Sequence, residues 1–235
     1  MLKFDEKAPG VWVFPSVGTG ENCGVALGER GALLIDPTPH PTDLDATARF
    51  LKEMGSEVRA LIFTRPPAEA ISRWPDAPRI MPGTPENGVS LPDLTGGWEA
   101  LHLHGVNDER LAVYHPRNKV LFCGEMLTNM AVGIPVLGGD SQGYLDNLAR
   151  IEELGAKLVV PHRGEVAAGK KAVRSRIEGD RSYIYSLHRH VMTSLAAHIT
   201  LDRVLTVAGQ VYEDFPFLQD HLENMRFVWN ELSEE

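Results

Sequence analysis

The chain has 235 residues, 43% of them hydrophobic, which is enough to bury a substantial core in one large domain or a domain with an appendage. Its 23 basic and 32 acidic side chains give a net charge of −9, which argues against a nucleic-acid-binding surface. No apolar run reaches the length of roughly 18 residues that a membrane span needs, and the first residues contain no export-like apolar segment. We therefore expect a cytoplasmic globular protein with no nucleic-acid and no membrane partner.

Short apolar runs separated by glycine turns predict a group of strands at the start of the chain. These runs are 11–14, 23–27 and 32–36. Apolar residues at helical spacing then predict a helix from about 43 to 54, with Thr42 as its cap and Gly55 at its end. A buried strand at 58–63 follows.

The middle of the chain continues the strand pattern, and the last third is helical. Further strands are predicted at 98–104, 111–114, 120–123 and 157–160, with a helix at 143–154 before the last of them. From about Lys170 helical spacing dominates, with a short helix between Thr200 and Gly209 and a last one at 217–232. We therefore expect a sheet-rich core over 1–168 and a helical C-terminal extension, 169–235, packed on it.

Five segments carry a resemblance to the metallo-β-lactamase superfamily. In chain order they are Leu33-Leu34-Ile35-Asp36-Pro37, Thr64 with the loop after it, His104-Gly105-Val106-Asn107, Val120 to Glu125, and Val160-Pro161-His162-Arg163-Gly164. They resemble the family's Leu-Ile-Asp-Thr-Gly strand end, its Thr-His-x-His-x-Asp-His loop, its Pro-Gly-His-Thr turn, its strand ending in Gly-Asp, and its Pro-Gly-His-Gly turn. The resemblance implies an α/β (α+β) fold, a four-layer αββα sandwich of two mixed sheets with helices outside.

The resemblance also implies a site for one or two metal ions, but the aligned ligand positions have changed. They are Arg65, Pro67, Glu69, Ala70, Val106, Glu125 and Arg163. No histidine remains at a histidine position, and both aspartates have become glutamate. Proline and alanine have no donor atom, and arginine stays protonated at any relevant pH. We therefore expect that the binuclear metal site has been lost and that no cofactor is bound.

Charge balance suggests what replaced the metals. Two carboxylates, Glu69 and Glu125, facing each other at the floor of a cleft would be unfavourable without positive charge nearby. Arg65 and Arg163 align with ligand positions that converge on the same point. We therefore predict an Arg-Glu cluster in which the two guanidinium groups neutralise the two carboxylates.

A shifted metal site is the open alternative. His104 lies two positions before Val106, and His162 lies one before Arg163, so a small displacement would return both imidazoles to the pocket. Together with Glu125, they could hold a single zinc, iron or manganese ion.

These alternatives lead to different functions. The leading hypothesis is a degenerate, non-hydrolytic protein, a pseudoenzyme, whose cleft binds a partner or a small ligand, an anionic one if Arg65 and Arg163 keep net positive charge. Its candidate ligand-binding residues are Arg65, Arg163, His104 and His162, and no catalytic residue is assigned. The alternative is a metal-dependent hydrolase of an ester, thioester or lactone, and a third is a metal-free enzyme with Glu69 or Glu125 as general base. The last helices could form a homodimer surface or close the core.

Overall fold

Two β-sheets with helices on their outer faces organise the chain in a computed structural model that describes residues 2–67, 69, 71–82, 97–103, 111–134 and 140–233. Within these ranges the first sheet has six strands, which lie side by side in the order of the sequence. They are β1 (Asp5–Ala8), β2 (Val11–Pro15), β3 (Asn22–Gly28), β4 (Gly31–Ile35), β5 (Val58–Ile62) and β6 (Arg79–Ile80). Strands β1 to β4 pair antiparallel, whereas β5 is parallel to both β4 and β6. Helix α1 (Pro41–Glu53) makes the crossover from β4 to β5.

The second sheet has five described strands and is also mixed. They are β7 (Glu99–His102), β8 (Leu111–His115), β9 (Val120–Phe122), β10 (Leu158–Val160) and β11 (Ala167–Ala168), again in sequence order across the sheet. Only β9 and β10 are parallel, and helix α2 (Ser141–Leu154) connects them. Three further helices follow, α3 (Lys170–Ala196), α4 (Leu201–Val211) and α5 (Leu218–Ser233).

Side chains that alternate along the strands fill the space between the two sheets. In β4, Leu33 and Ile35 face the second sheet, while Ala32 and Leu34 face α1 on the outside. The sheets approach closely at Gly24, because a Cβ atom there would lie 2.5 Å from the ring of Phe122. A side chain at that position would push the sheets apart.

The helical extension shares one hydrophobic cluster with the outer face of the second sheet. Leu121 and Val159 of the sheet belong to the same cluster as Ile184 of α3, Val204 of α4 and Met225 of α5. Met225 is therefore a core residue. The sequence alone did not decide whether the residues of the last helices pack in the core or form a dimer surface. Phe215, by contrast, is 41% exposed.

The structure confirms the predicted two-sheet sandwich with outer helices and corrects several element ends. His40, not Thr42, stands at the cap of α1, because Pro41 takes the first helical position, where its missing N–H costs nothing. Gly209 lies inside α4, which continues to Val211. Helix α2 begins two residues earlier than predicted, after a capping Asp140. No helix in the described ranges is long and apolar enough to cross a membrane.

Candidate functional site

The strand directions bring the predicted site residues to one edge of the sandwich. Asp36 and Arg65 follow the ends of the parallel strands β4 and β5, and Glu125 and His162 follow the ends of the parallel strands β9 and β10. Because β3 runs antiparallel to β4, the start of β3, where Glu21 lies, is at this same edge. The site therefore collects the ends of strands from both sheets.

An Arg-Glu-Arg cluster lies at the centre of this edge. Arg65 Nη2 donates to Glu21 Oε1 at 2.7 Å, and Arg163 Nη2 donates to the same oxygen at 3.0 Å. The Glu21 side chain is only 9% exposed, whereas those of Arg65 and Arg163 are 27% and 59% exposed. Burial opposes ionisation of Glu21, but the adjacent His162, the hydrogen bond from Arg163 and the charge of Arg65 together outweigh burial and lower the pKa of Glu21 below its usual value.

The arginine partner differs from the one predicted from sequence. Both described ion pairs of Arg65 and Arg163 go to Glu21, and Glu69 lies exposed. Glu125 is half-buried and lines the cleft beside the arginines. No residue pattern pointed directly to Glu21, because nothing distinguishes it from a surface glutamate before a strand. The only available signal was its place at the start of the strand antiparallel to β4.

His162 lies beneath the cluster as a neutral imidazole. Its side chain is 5% exposed, and Nε2 lies 3.1 Å from Glu21 Oε1. Burial, together with the charge of Arg65, lowers the pKa of His162 to about 4 despite the nearby carboxylate. Neither ring nitrogen makes a well-aligned hydrogen bond within the described part of the chain.

Asn22 fastens the loop that carries His162 and Arg163 to the first sheet. Its backbone N–H donates to the His162 carbonyl at 2.7 Å, and its side-chain amide donates to the carbonyls of Pro161 at 2.8 Å and Gly164 at 2.9 Å. On the other side, the N–H of His162 donates to the carbonyl of Gly124 at 2.5 Å. These bonds hold the two sheets in a fixed relation at the site.

A second buried carboxylate, Asp36, fixes the start of the Arg65 loop. It accepts hydrogen bonds from the Thr64 N–H at 2.6 Å and from the Thr64 hydroxyl at 2.7 Å. Burial raises the pKa of Asp36 to about 6, although the Thr64 bonds act in the opposite direction. The backbone of Thr64 in turn accepts from Leu111 N at 2.9 Å, which ties the loop to the second sheet.

A cleft of about 270 Å³ opens over the cluster. Its charged walls are Arg65, Arg163, Glu125 and an exposed Asp220 from α5. The other lining residues are small or apolar, namely Thr128, Met130, Ala131, Gly133 and Phe217, together with His162. The helical extension thus contributes to the wall of the site, which the sequence did not indicate.

The residues present do not suit the metal ions that the resemblance implies. Two aligned positions hold guanidinium groups, which are cations themselves, and Pro67 has no donor atom. Across the described ranges, no group of three or more His, Cys, Asp or Glu side chains is arranged to hold a metal ion. His104, Ala70 and Val106 lie outside the described residues, so the shifted site built on His104, Glu125 and His162 stays a prediction.

Solved structures with the same fold are similar to this chain over most of their length. A metallo-beta-lactamase from Pontibacter korlensis is 18% identical, with 77% of this chain and 99% of that chain covered and a TM-score of 0.60. A metallo-beta-lactamase family protein from Thermus thermophilus is 17% identical, with 79% and 82% covered and a TM-score of 0.59. A metallo-beta-lactamase from Erythrobacter litoralis is 16% identical, with 77% and 92% covered and a TM-score of 0.55.

In sequence the similarity is much weaker. No protein-family model and no curated protein sequence matches the chain. At these identities the structural likeness establishes the architecture and leaves the activity open. The order of the strands, the edge at which the site residues meet and the similarity to these solved structures together show that the chain has the metallo-β-lactamase fold.

Proposed function

We propose that this protein is a non-hydrolytic binding protein whose cleft takes a small anionic ligand through Arg65 and Arg163. The observation that carries the proposal is the convergence of both guanidinium groups on one carboxylate oxygen of Glu21, at 2.7 and 3.0 Å. Two positive charges against one negative charge leave the cluster with one net positive charge, since His162 is neutral at physiological pH.

Each guanidinium group keeps hydrogen-bond donors that its described bonds do not use, and both arginines line the cleft. Arginine presents a planar fork of N–H groups, and the described bonds of Arg65 and Arg163 each use one nitrogen. Carboxylates and phosphates match such a fork, and charge-assisted bonds to them are stronger than neutral ones. Glu125 and Asp220 also line the cleft and oppose an anion, so the ligand must engage the arginines directly.

The same charges support a non-hydrolytic function. Hydrolysis by the metal-hydroxide chemistry of this fold needs a cation held by neutral or anionic donors. Arg65 and Arg163 place permanent positive charge at two aligned ligand positions, where a metal ion would be repelled. The competing hypothesis, a hydrolase with a shifted single-metal site, makes the opposite prediction about bound metal.

Titration with inorganic phosphate and with acetate tests the proposal. We expect both anions to bind and to raise the melting temperature of the full-length protein. Arg65→Gln and Arg163→Gln should each weaken binding at least tenfold, whereas Arg174→Gln, which removes a 73% exposed arginine paired with Glu178, should leave it unchanged.

Elemental analysis of the same preparation tests the competing function. The proposal would be overturned if the protein contains about one equivalent of zinc, iron or manganese and hydrolyses an ester, thioester or lactone, and if His162→Ala or His104→Ala loses both the metal and the turnover. The proposal would also be overturned if phosphate and acetate bind to both arginine variants as tightly as to the wild type.

A further inference from the structure

Two larger cavities lie beside the cleft along the helical extension. A middle cavity of about 470 Å³ shares Thr128, Met130, Ala131 and Phe217 with the cleft as common walls. A groove of about 780 Å³ between α3, α4 and α5 shares Tyr183, Phe215 and His221 with the middle cavity. The three spaces therefore lie in a row, from the arginine cluster to the helices of the extension.

The chemical character changes along this row. The arginine end holds four charged side chains, while most of the residues that line the helical groove are aliphatic or aromatic, and Arg189 and His190 are among its polar ones. The apolar ones include Leu187, Ile199, Val207, Ala208, Val211 and Met225. Part of this surface faces solvent, since Val211 is 66% exposed and Ile199 and Val207 are each 40% exposed. Exposed apolar side chains that line one groove are typical of a binding site.

The polar groups of the middle cavity are largely satisfied by the protein itself. Asp180 accepts from the Tyr144 hydroxyl at 2.8 Å. Asn224 donates to the Tyr183 hydroxyl at 3.0 Å, and Arg176 donates to the Leu127 carbonyl at 2.7 Å. A ligand that crosses this cavity against its apolar walls, such as Met130, Phe215 and Phe217, need not supply partners to these groups.

We propose that the ligand is a single-chain amphipathic anion, a carboxylate or phosphate ester head on a long aliphatic tail. The head lies against Arg65 and Arg163, and the tail passes Phe217 and Phe215 into the groove between the helices. This assignment rests on the proposed function of the cleft and names the class of ligand that it takes. The arginines at one end of the row and the apolar groove at the other complement the two parts of such a molecule, and the groove lies in the size range of small-molecule sites.

A homologous series of ligands tests this assignment by titration calorimetry, below the micelle concentration of each compound. The probes are inorganic phosphate, the monoalkyl phosphates with butyl, octyl and dodecyl chains, and uncharged dodecanol. We expect affinity to rise about fourfold per added methylene group while the tail still enters the groove. Dodecanol should bind at least tenfold more weakly than dodecyl phosphate.

Two variants with matched chemistry locate the tail. Val211→Arg places a charge in the groove on an already exposed position, and we expect the gain with chain length to disappear. Met54→Arg makes a similar change at a 45% exposed position at the end of α1, outside the groove, and should leave the affinities of the whole series unchanged.

A third variant tests the head site. Asp220→Asn should tighten binding of every phosphate by removing a negative charge from the cleft wall.

The outcomes separate this inference from the function on which it rests. If phosphate binds, and if butyl, octyl and dodecyl phosphate all bind with the same affinity, the tail site is refuted and the anion cleft stands. No binding of phosphate or of any alkyl phosphate would refute both. A dimer in sedimentation that Val211→Arg dissociates, with no dependence on chain length, would show that a second copy of the chain covers the groove and would also overturn the assignment.

Discussion

Replacing Glu21 by glutamine should destabilise the fold and at the same time strengthen anion binding. The variant keeps the shape and one acceptor oxygen but removes the charge that Arg65 and Arg163 share. A charge-assisted hydrogen bond contributes about 1.5–3 kcal/mol when buried, but the Arg163 side chain is 59% exposed and its bond contributes only a few tenths. We therefore expect a loss of roughly 1–2 kcal/mol in the free energy of unfolding at pH 7.

The effect of the same change on binding has the opposite sign. Removing the negative charge raises the net charge of the cluster from one to two positive charges. If the anion lies about 6 Å from Glu21 and the effective dielectric constant is about 20, the negative charge of Glu21 repels the anion by roughly 3 kcal/mol. The glutamine variant removes this repulsion. Solvent at the open side reduces the effect by about half, which corresponds to roughly tenfold tighter binding of phosphate.

Urea unfolding of Glu21→Gln measures its loss of stability, and phosphate titration measures its gain in affinity. The control is Glu178→Gln, which changes an exposed glutamate paired with Arg174. Because the pKa of Glu21 is lowered in the folded protein, its stabilisation is present above its ordinary value of 4.5 and is lost as the pH falls through the folded value. The difference in stability between wild type and variant should therefore narrow in acid. If Glu21→Gln weakens phosphate binding instead, the carboxylate positions the guanidinium groups and does not compete with the ligand, and the charge argument fails.

Three further changes test the framework of the site. Asn22→Ala removes two side-chain hydrogen bonds to the loop and should cost about 2–3 kcal/mol in urea unfolding, whereas Asn118→Ala, with one exposed bond, should cost less than about 1 kcal/mol. Gly124→Ala, at φ +59° with a neighbouring atom 3.3 Å from the new Cβ, should lower stability by more than Gly55→Ala, at φ +62° with open space, and equal losses would disprove the crowding. Burial raises the pKa of Asp180 to about 6, so the folded state binds its proton more tightly and this group alone contributes a loss of stability as pH rises from about 4 to 6. Asp180→Asn should remove that contribution, so the stability of the variant relative to the wild type should rise over this pH range, and a constant difference would contradict the assignment.

Periodicity alone predicted most of the strands and helices. Leu33 and Ile35 alternate with Ala32 and Leu34 because opposite faces of β4 are covered by different layers. Short edge strands such as β6 and β11, with two residues each, carry no such pattern and were not predicted. Helix ends were also displaced, as at His40, since a cap depends on the local backbone as well as on residue type.

The site was predicted only in part. Arg65, Arg163 and His162 do meet, because each follows a strand that ends at the same edge. Their common partner Glu21 could not be chosen over Glu69 from sequence, since the choice depends on side-chain reach and on the antiparallel neighbour of β4. Asp220 lies more than fifty positions further along the chain and reaches the cleft only through the packing of α5.

What the sequence determined by itself was the layer pattern, because hydrophobic periodicity is a local property, while the loss of histidine from the aligned ligand positions is what its resemblance to the family implies. The tertiary structure decided which charges neutralise one another and which cavities lie beside the cleft. Ion pairing falls off with distance and depends on burial, and cavities are formed by residues from remote parts of the chain. The cluster at Glu21 and the row of cavities toward α4 follow from that packing.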